Sequence, residues 1–291
     1  MIGKKRIKYS YSNRAFQIFI AIYIILCALF SLFSLFITIL NACKTNQNIV
    51  SNGIFGLLEG NIFKIIADNF TMAWAKIGTS FWNSILFSFV GAILNCLVGS
   101  ILAYIFTYKD FPFKTAIFTA YISVMLLPSI MGMPILVPFM QQTLGWSNTI
   151  YGYLSPMLAG GQVSALFLFK TFFAQQPLSI YEAAKVEGSN DVHMYLKITL
   201  PLALPIILYH FIGSFSSLYN DYLWASLIME PGTLLMPTLQ SATQTFQDAQ
   251  VSQQMGAMYM LYVISSFPLI ITTAISMKFF ASGNFASGLK L

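Results

Sequence analysis

The chain has 291 residues, of which 57% are hydrophobic, 16% aromatic and only 8% charged. Soluble domains carry about 25% charged residues, so this chain has too little charge to cover a water-facing surface, and its composition leaves the membrane class. The formal charge of +6 does not call for nucleic acid, because Lys4, Lys5, Arg6, Lys8 and Arg14 gather just ahead of the first apolar run, where basic residues set membrane topology.

Ala15 to Leu40 is an uninterrupted apolar run of 26 residues. As a helix it is about 39 Å long, enough to span ~30 Å of hydrocarbon. That length, with no clear small-residue cleavage pattern after it, favours a retained helix over a cleaved signal peptide. Residues 42–80 mix Glu59, Lys64, Asp68 and Lys76 with Ile and Phe in a weak helical period. This predicts an external loop with one or two interfacial amphipathic helices. Asn69-Phe70-Thr71 is a formal glycosylation tripeptide, a weak signal on its own.

A second span is predicted from Asn83 to Tyr108, with Gly91 and Gly99 permitting close helix contacts. Lys109, Asp110 and Lys114 bracket a turn, and no charged residue follows from Thr115 to Phe169. At ~20 residues per crossing that stretch holds two spans, near 116–140 and 151–172, separated by the uncharged QQTLGWSNT. Pro128, Gly132, Pro134 and Pro138 interrupt the third span and Gly160-Gly161 the fourth. Such breaks belong either where backbone lines a cavity or in kinked packing helices.

From 175 to 205 the chain turns polar and holds three of its nine carboxylates, Glu182, Glu187 and Asp191. Ser179-x-x-Glu182 has capping-box spacing, and residues 180–187 read as a helix stopped by Gly188. Ser189, Asn190 and Asp191 offer caps for a second short helix that ends ahead of Pro201 and Pro205. Helices of two to three turns are marginal alone in water, so both must pack against something.

Leu204–Met229 and Gly256–Met277 read as the fifth and sixth spans, with a polar loop at 230–254 between them and a short tail after the last. Asp221 is the ionisable residue placed well inside a predicted span, and Tyr219, Asn220, Asp221 and Tyr222 could line a wet path through the membrane. A hydrogen-bonded packing carboxylate and an aromatic belt are the plainer readings. With no Lys or Arg at mid-membrane, a neutral polyhydroxylated solute fits better than an anion. Cys27, Cys43 and Cys96 show no disulfide or metal spacing, and His193 and His210 read as surface or packed histidines. There is no G-x-x-x-x-G-K-[ST] phosphate loop and no catalytic constellation.

Six spans put both ends of the chain on one side. Twelve of the fifteen basic residues fall on that side, which the positive-inside rule makes cytoplasmic together with the 175–205 loop. The expected organisation is a basic first segment, span and external loop at 1–80, followed by a membrane core at 81–291.

Glu182-Ala183-Ala184, Gly188 and Ile198-x-Leu200-Pro201 fix seven positions across twenty residues. That pattern resembles the EAA loop of the permeases of binding-protein-dependent ABC importers. The resemblance implies an all-α membrane protein with the six-helix type I importer permease fold. It also implies that Glu182, Ala183, Ala184 and Gly188 seat in an ATP-binding subunit. Phe81–Ser84, Asn220–Trp224, the Gly-containing start of the last span and the small-residue tail are similar to the carbohydrate, maltose-type branch, although Gly288-Leu289-Lys290-Leu291 departs from that branch's usual ending. The implied partners are a second related permease, two ATP-binding subunits that carry ATP and Mg, an extracytoplasmic solute-binding protein, a carbohydrate and membrane lipid. No cofactor is expected in this chain. The place is the cell membrane of a bacterial or archaeal cell. Polyols, glycerol phosphodiesters or amino acids are alternative cargoes, and ion-coupled transport through Asp221 is an alternative mechanism.

Overall fold

The computed structural model describes residues 14–248 and 254–281. The basic run at Lys4–Lys8, the tail from 282 and residues 249–253 of the predicted polar loop lie outside them. Among the described residues the chain is helical, with one isolated β-bridge between Pro231 and Leu234.

Helix α1 (Arg14–Ala42) carries the first apolar run, and a short α2 (Asn46–Asn52) follows, its first turn capped by Thr45, whose side chain accepts from the Asn48 amide. Helix α3 runs unbroken from Ile62 to Tyr108. This corrects the predicted boundary at Asn83, because the stretch read as interfacial helices is the start of the same rod. No proline lies between Ile62 and Tyr108 to break the ladder. Its 47 residues make a helix about 70 Å long, more than twice the ~30 Å of hydrocarbon.

The predicted third span is bent. Helix α4 (Lys114–Ser123) tightens into a 3-10 turn at Val124–Leu126, and the chain restarts through Ser129–Gly132 into α5 (Met133–Pro138), at 89° to its first half. The break sits at Leu127, held extended at ψ 127°, as expected of a residue whose successor is proline. Helices α6 (Ile150–Pro156) and α7 (Gln162–Phe173) occupy the predicted fourth span, and α8 (Leu178–Val186) departs from them at 82°. Wide π turns at Phe139–Thr143 and Met157–Gly161 each follow a proline, and a third at Tyr195–Thr199 shortly precedes Pro201. Prolines and π turns are the ordinary causes of bends of this kind.

The third π turn explains another departure from expectation. Helix α9 (Asp191–Met194) does not stop ahead of Pro201. It passes through the wide turn into α10 (Leu200–Tyr219), so that Asp191–Tyr219 is one long helical segment. Pro201 follows closely on the wide turn, which takes up the hydrogen bond its missing N–H cannot make, so the segment bends there rather than ending. The predicted fifth span also ends early: α11 (Leu223–Ile228) is separate.

Within the predicted polar loop, α12 (Leu235–Gln247) buries Leu235, Leu239, Ala242 and Phe246, a helical stripe. Gln, Ser and Thr fill the other face, which is why the segment reads as a polar loop in the sequence. The last helix is α13 (Met255–Ala281). Among the described residues four helices are long and apolar enough to cross a membrane, or up to six if each bent pair counts as one.

The described residues form two compact units, those up to 73 with those in 246–263, and those in 74–245 with those from 264 on. In the first, α1 has mean hydropathy 2.7 and its apolar window is wholly exposed, a surface that only lipid or another apolar surface can cover. Below it Lys44, 1% exposed, donates to the carbonyls of Gly53 (3.4 Å) and Ile54 (2.9 Å). Burial holds its ammonium below the usual lysine value. Asn69 is buried and donates to the carbonyls of Ala42 (2.9 Å) and Lys44 (3.0 Å). The glycosylation tripeptide is therefore a packing asparagine.

In the second unit, α3 meets α7 and α10 closely. A Cβ at Gly99 would stand 2.3 Å from the Ala165 Cβ, and one at Gly91 2.5 Å from Leu218 Cδ1. The two glycines permit the contacts expected of them. Cys96, by contrast, is simply a buried thiol in the core.

Candidate functional site

The 175–205 segment is built locally by its turn residues. Pro177, at φ −61° and ψ 120°, takes the N-cap place of α8. The expected Ser179–Glu182 capping box therefore does not form, since Ser179 already lies inside the helix and Pro177 has no side-chain acceptor. The stop is as read. Gly188 adopts φ +83°, its N–H donates to the Lys185 carbonyl (3.0 Å), and the Ser189 N–H reaches back to Ala184 (2.9 Å). That bond pair is the Schellman stop, which favours glycine at its left-handed position. Asn190 then caps α9 by accepting from the His193 amide at 2.8 Å.

Helical spacing divides α8 into two faces. Tyr181 (4% exposed) and Ala184 (9%) turn inward, whereas Glu182, Ala183, Lys185 and Val186 are exposed. Leu178, Val186 and Val192 stand out as exposed apolar side chains on the same loop. The EAA residues thus do not share one exposed face, since Ala184 packs on its own chain while Glu182 and Ala183 are exposed.

The inward face is fastened by side chains that sequence reasoning missed. Tyr181 Oη donates to Gln176 Oε1 and lies 2.9 Å from Thr199 Oγ1. Tyr108, at the end of α3, donates to the Phe173 carbonyl (2.9 Å) and to the same Gln176 Oε1 (3.1 Å), with its ring stacked on Tyr181 at 4.3 Å between centroids. Tyr195 Oη is 2.7 Å from Ser100 Oγ, and Lys109 pairs with Asp191 at 2.5 Å. The loop is therefore clamped at three places, two on α3 and one at Lys109 just after it. The only signal in the sequence was a pair of tyrosines, Tyr104 and Tyr108, four residues apart at the end of an apolar run.

The clamps differ in strength. A Tyr181→Phe change removes a buried hydroxyl from two partners and is expected to weaken the seating of α8 by about 1–3 kcal/mol. Lys109→Ala, which breaks a pair whose side chains are 38% and 50% exposed, should cost under about 1 kcal/mol. Hydrogen exchange at the α8 amides checks the ranking: faster exchange in Tyr181→Phe and little change in Lys109→Ala is the expected result.

The same unit holds a half-open cavity of about 1450 Å³, lined in part by Asn220, Asp221 and Tyr222 at the break between α10 and α11. Tyr219 is not part of it, being 1% exposed with its hydroxyl donating to the Ser265 carbonyl at 3.0 Å. Asp221 sits at the helix break, not inside a span, and its Oδ1 accepts from the Trp224 amide at 3.2 Å. The carboxylate therefore starts α11 while remaining at the cavity wall. No Lys or Arg is among the described residues lining this space, and no group of three or more His, Cys, Asp or Glu comes together among the described residues.

Residues 95–284 match the family described as the binding-protein-dependent transport system inner membrane component. The inner membrane ABC transporter permease protein YcjP of Escherichia coli K12 is 28% identical over 162 residues, covering 55% of this chain and 56% of that protein. The trehalose/maltose transport system permease protein MalG of Thermococcus litoralis is 27% identical over 149 residues, covering 51% and 53%. The matched stretch thus spans little more than half of these relatives. A chain from the crystal structure of a bacterial ABC transporter involved in the import of the acidic polysaccharide alginate shares the fold, with TM-score 0.77 and 21% identity over 94% of this chain and 99% of that one.

Proposed function

Because the chain belongs to the binding-protein-dependent transport system inner membrane component family, a membrane permease family of ABC importers, we propose that it is the transmembrane subunit of an ATP-driven importer of neutral carbohydrate. The observation that carries this reading is the outward face of α8, where Glu182 and Ala183 stand exposed beside a glycine-stopped hinge while Tyr181 clamps the other face to α3. A helix too short to persist alone and held rigidly on one side is suited to receive a push on the other.

On this reading the chain crosses the membrane six times and α8 lies in the cytoplasm, as the distribution of basic residues favours. Glu182, Ala183 and Gly188 meet an ATP-binding subunit that holds ATP and Mg, with Ala184 supporting them from beneath. A second, related permease completes the pathway, and an extracytoplasmic solute-binding protein delivers the cargo. When the ATP-binding subunits close, α8 moves with them, and the three clamps carry that displacement into α3 and α10. Asn220, Asp221 and Tyr222 form part of the passage, and Tyr219 holds α13 in register. The cavity supports a neutral cargo, because a carboxylate without a cationic neighbour repels anions. Several relatives are named for sugar transport, among them the maltodextrin permease MdxG of Bacillus subtilis, 25% identical over 141 residues.

The test is disulfide cross-linking of an Ala183→Cys variant to cysteines placed on the ATP-binding subunit, combined with sugar uptake into proteoliposomes containing the whole transporter. Cross-links that form, and uptake that stops without internal ATP, are the expected results. Uptake that follows a proton gradient and ignores ATP would replace this reading with ion-coupled transport through Asp221.

A further inference from the structure

Asn95, on α3, lines the cavity yet is 1% exposed. The Nε2–H of His210, from α10, donates to its Oδ1 at 2.8 Å, and the edge of the His210 ring is held against Phe169 with centroids 5.3 Å apart. Among the described residues the amide Nδ2 of Asn95 has no hydrogen-bond partner. A buried amide donor left unpaired is costly and uncommon in native structures, and here it belongs to a side chain whose orientation is already set by His210. A Cβ at Gly161, in the π turn, would stand 3.5 Å from Nδ2 and 2.9 Å from Met157 Cγ. Met157 also lines the cavity and is an unbranched side chain that changes rotamer easily.

From this arrangement we infer that Asn95, oriented by His210, is a hydroxyl-binding subsite in the passage, whose Nδ2 donates to a hydroxyl or ring oxygen of the neutral carbohydrate when Met157 moves aside. This rests on the carbohydrate reading above and assigns part of the recognition to this chain. The chemistry is specific in one respect: an amide N–H beside a glycine turn donates to a small neutral oxygen, while the Asp221 carboxylate, which also lines the cavity, disfavours a phosphate or carboxylate. The glycine at 161 matters because any side chain there would fill the approach to Nδ2.

The experiment uses the complete transporter in proteoliposomes, with labelled maltose, trehalose and sorbitol as probes and glycerol 3-phosphate as the anionic control. Two variants are compared with the wild type. Asn95→Leu removes the amide, and Gly161→Ala leaves the Asn95–His210 bond intact but covers Nδ2. Maximal uptake of whichever neutral probe the wild type carries is expected to fall about tenfold in both, the scale of one lost hydrogen bond. ATP hydrolysis stimulated by the loaded binding protein should stay at the wild-type level, which a general folding defect would not allow. Wild-type uptake in either variant present at normal amounts in the membrane overturns the subsite. Should Asn95→Leu fail to accumulate, Gly161→Ala decides alone. A wild type that carries none of the neutral probes, or carries glycerol 3-phosphate instead, overturns the carbohydrate reading itself, and the subsite with it; that failure is visible before any variant is made.

Discussion

An Ala183→Trp variant is expected to reach the membrane in normal amount and to keep its thermal midpoint, yet to lose more than about tenfold of its ATP-driven uptake. Ala183 is exposed on the outer face of α8, so an indole there meets no part of its own chain. A partner seated on that face must make room for it, and each ~1.4 kcal/mol lost from the contact is a factor of ten in affinity. Ala184→Phe makes the contrast. At 9% exposure that position packs in the core cluster that also holds Tyr181, and overfilling it costs about 1–3 kcal/mol. This second variant should lose stability and uptake together. Uptake into proteoliposomes, paired with thermal unfolding in detergent, separates the two. Unimpaired uptake in Ala183→Trp would remove α8 as the docking element.

Gly99→Ala is expected to unfold more easily although it places a better helix former in α3. Alanine in a helix interior gains about 1 kcal/mol over glycine. The new Cβ would lie 2.3 Å from the Cβ of Ala165, itself fully buried, and two atoms fixed to helix backbones cannot rotate apart. Overpacking of this kind costs about 1–3 kcal/mol or more, so the clash outweighs the propensity gain and the net shift is a thermal midpoint lowered by several degrees. Gly213, in α10, is the control. A Cβ there meets nothing within 4 Å, so Gly213→Ala should hold or raise the midpoint. Detergent melts of the two variants side by side give opposite signs if the α3–α7 contact is as close as described. A raised midpoint in Gly99→Ala would refute that contact.

Boundaries were the least legible part of the fold. Ile62 to Tyr108 reads as two segments because Lys64, Asp68 and Lys76 dilute its first half, but a helix is ended by lost hydrogen bonds or special backbone angles, not by charge, and none occurs before Tyr108. Pro201 reads as a stop, yet it occupies the first turn of α10 just after a π turn. Conversely, Leu127 ahead of Pro128 reads as a mild interruption and is an 89° bend. The polar loop hid α12 because its buried stripe of Leu235, Leu239, Ala242 and Phe246 is sparse.

What the chain alone determined was whatever depends on neighbours along it. The lack of charge requires lipid. Gly188 stops α8 because the left-handed angle it adopts is strained for other residues, and the EAA spacing identifies the loop without reference to anything distant. The tertiary structure decided which way each of those residues faces. It turned Ala184 inward and Ala183 outward, buried Tyr219 while leaving Asp221 at a cavity wall, joined Tyr108 to Gln176 and Tyr181, and left the amide of Asn95 unpaired beside Gly161. Those outcomes depend on residues tens of positions apart being packed together, and local propensity carries no information about such pairings.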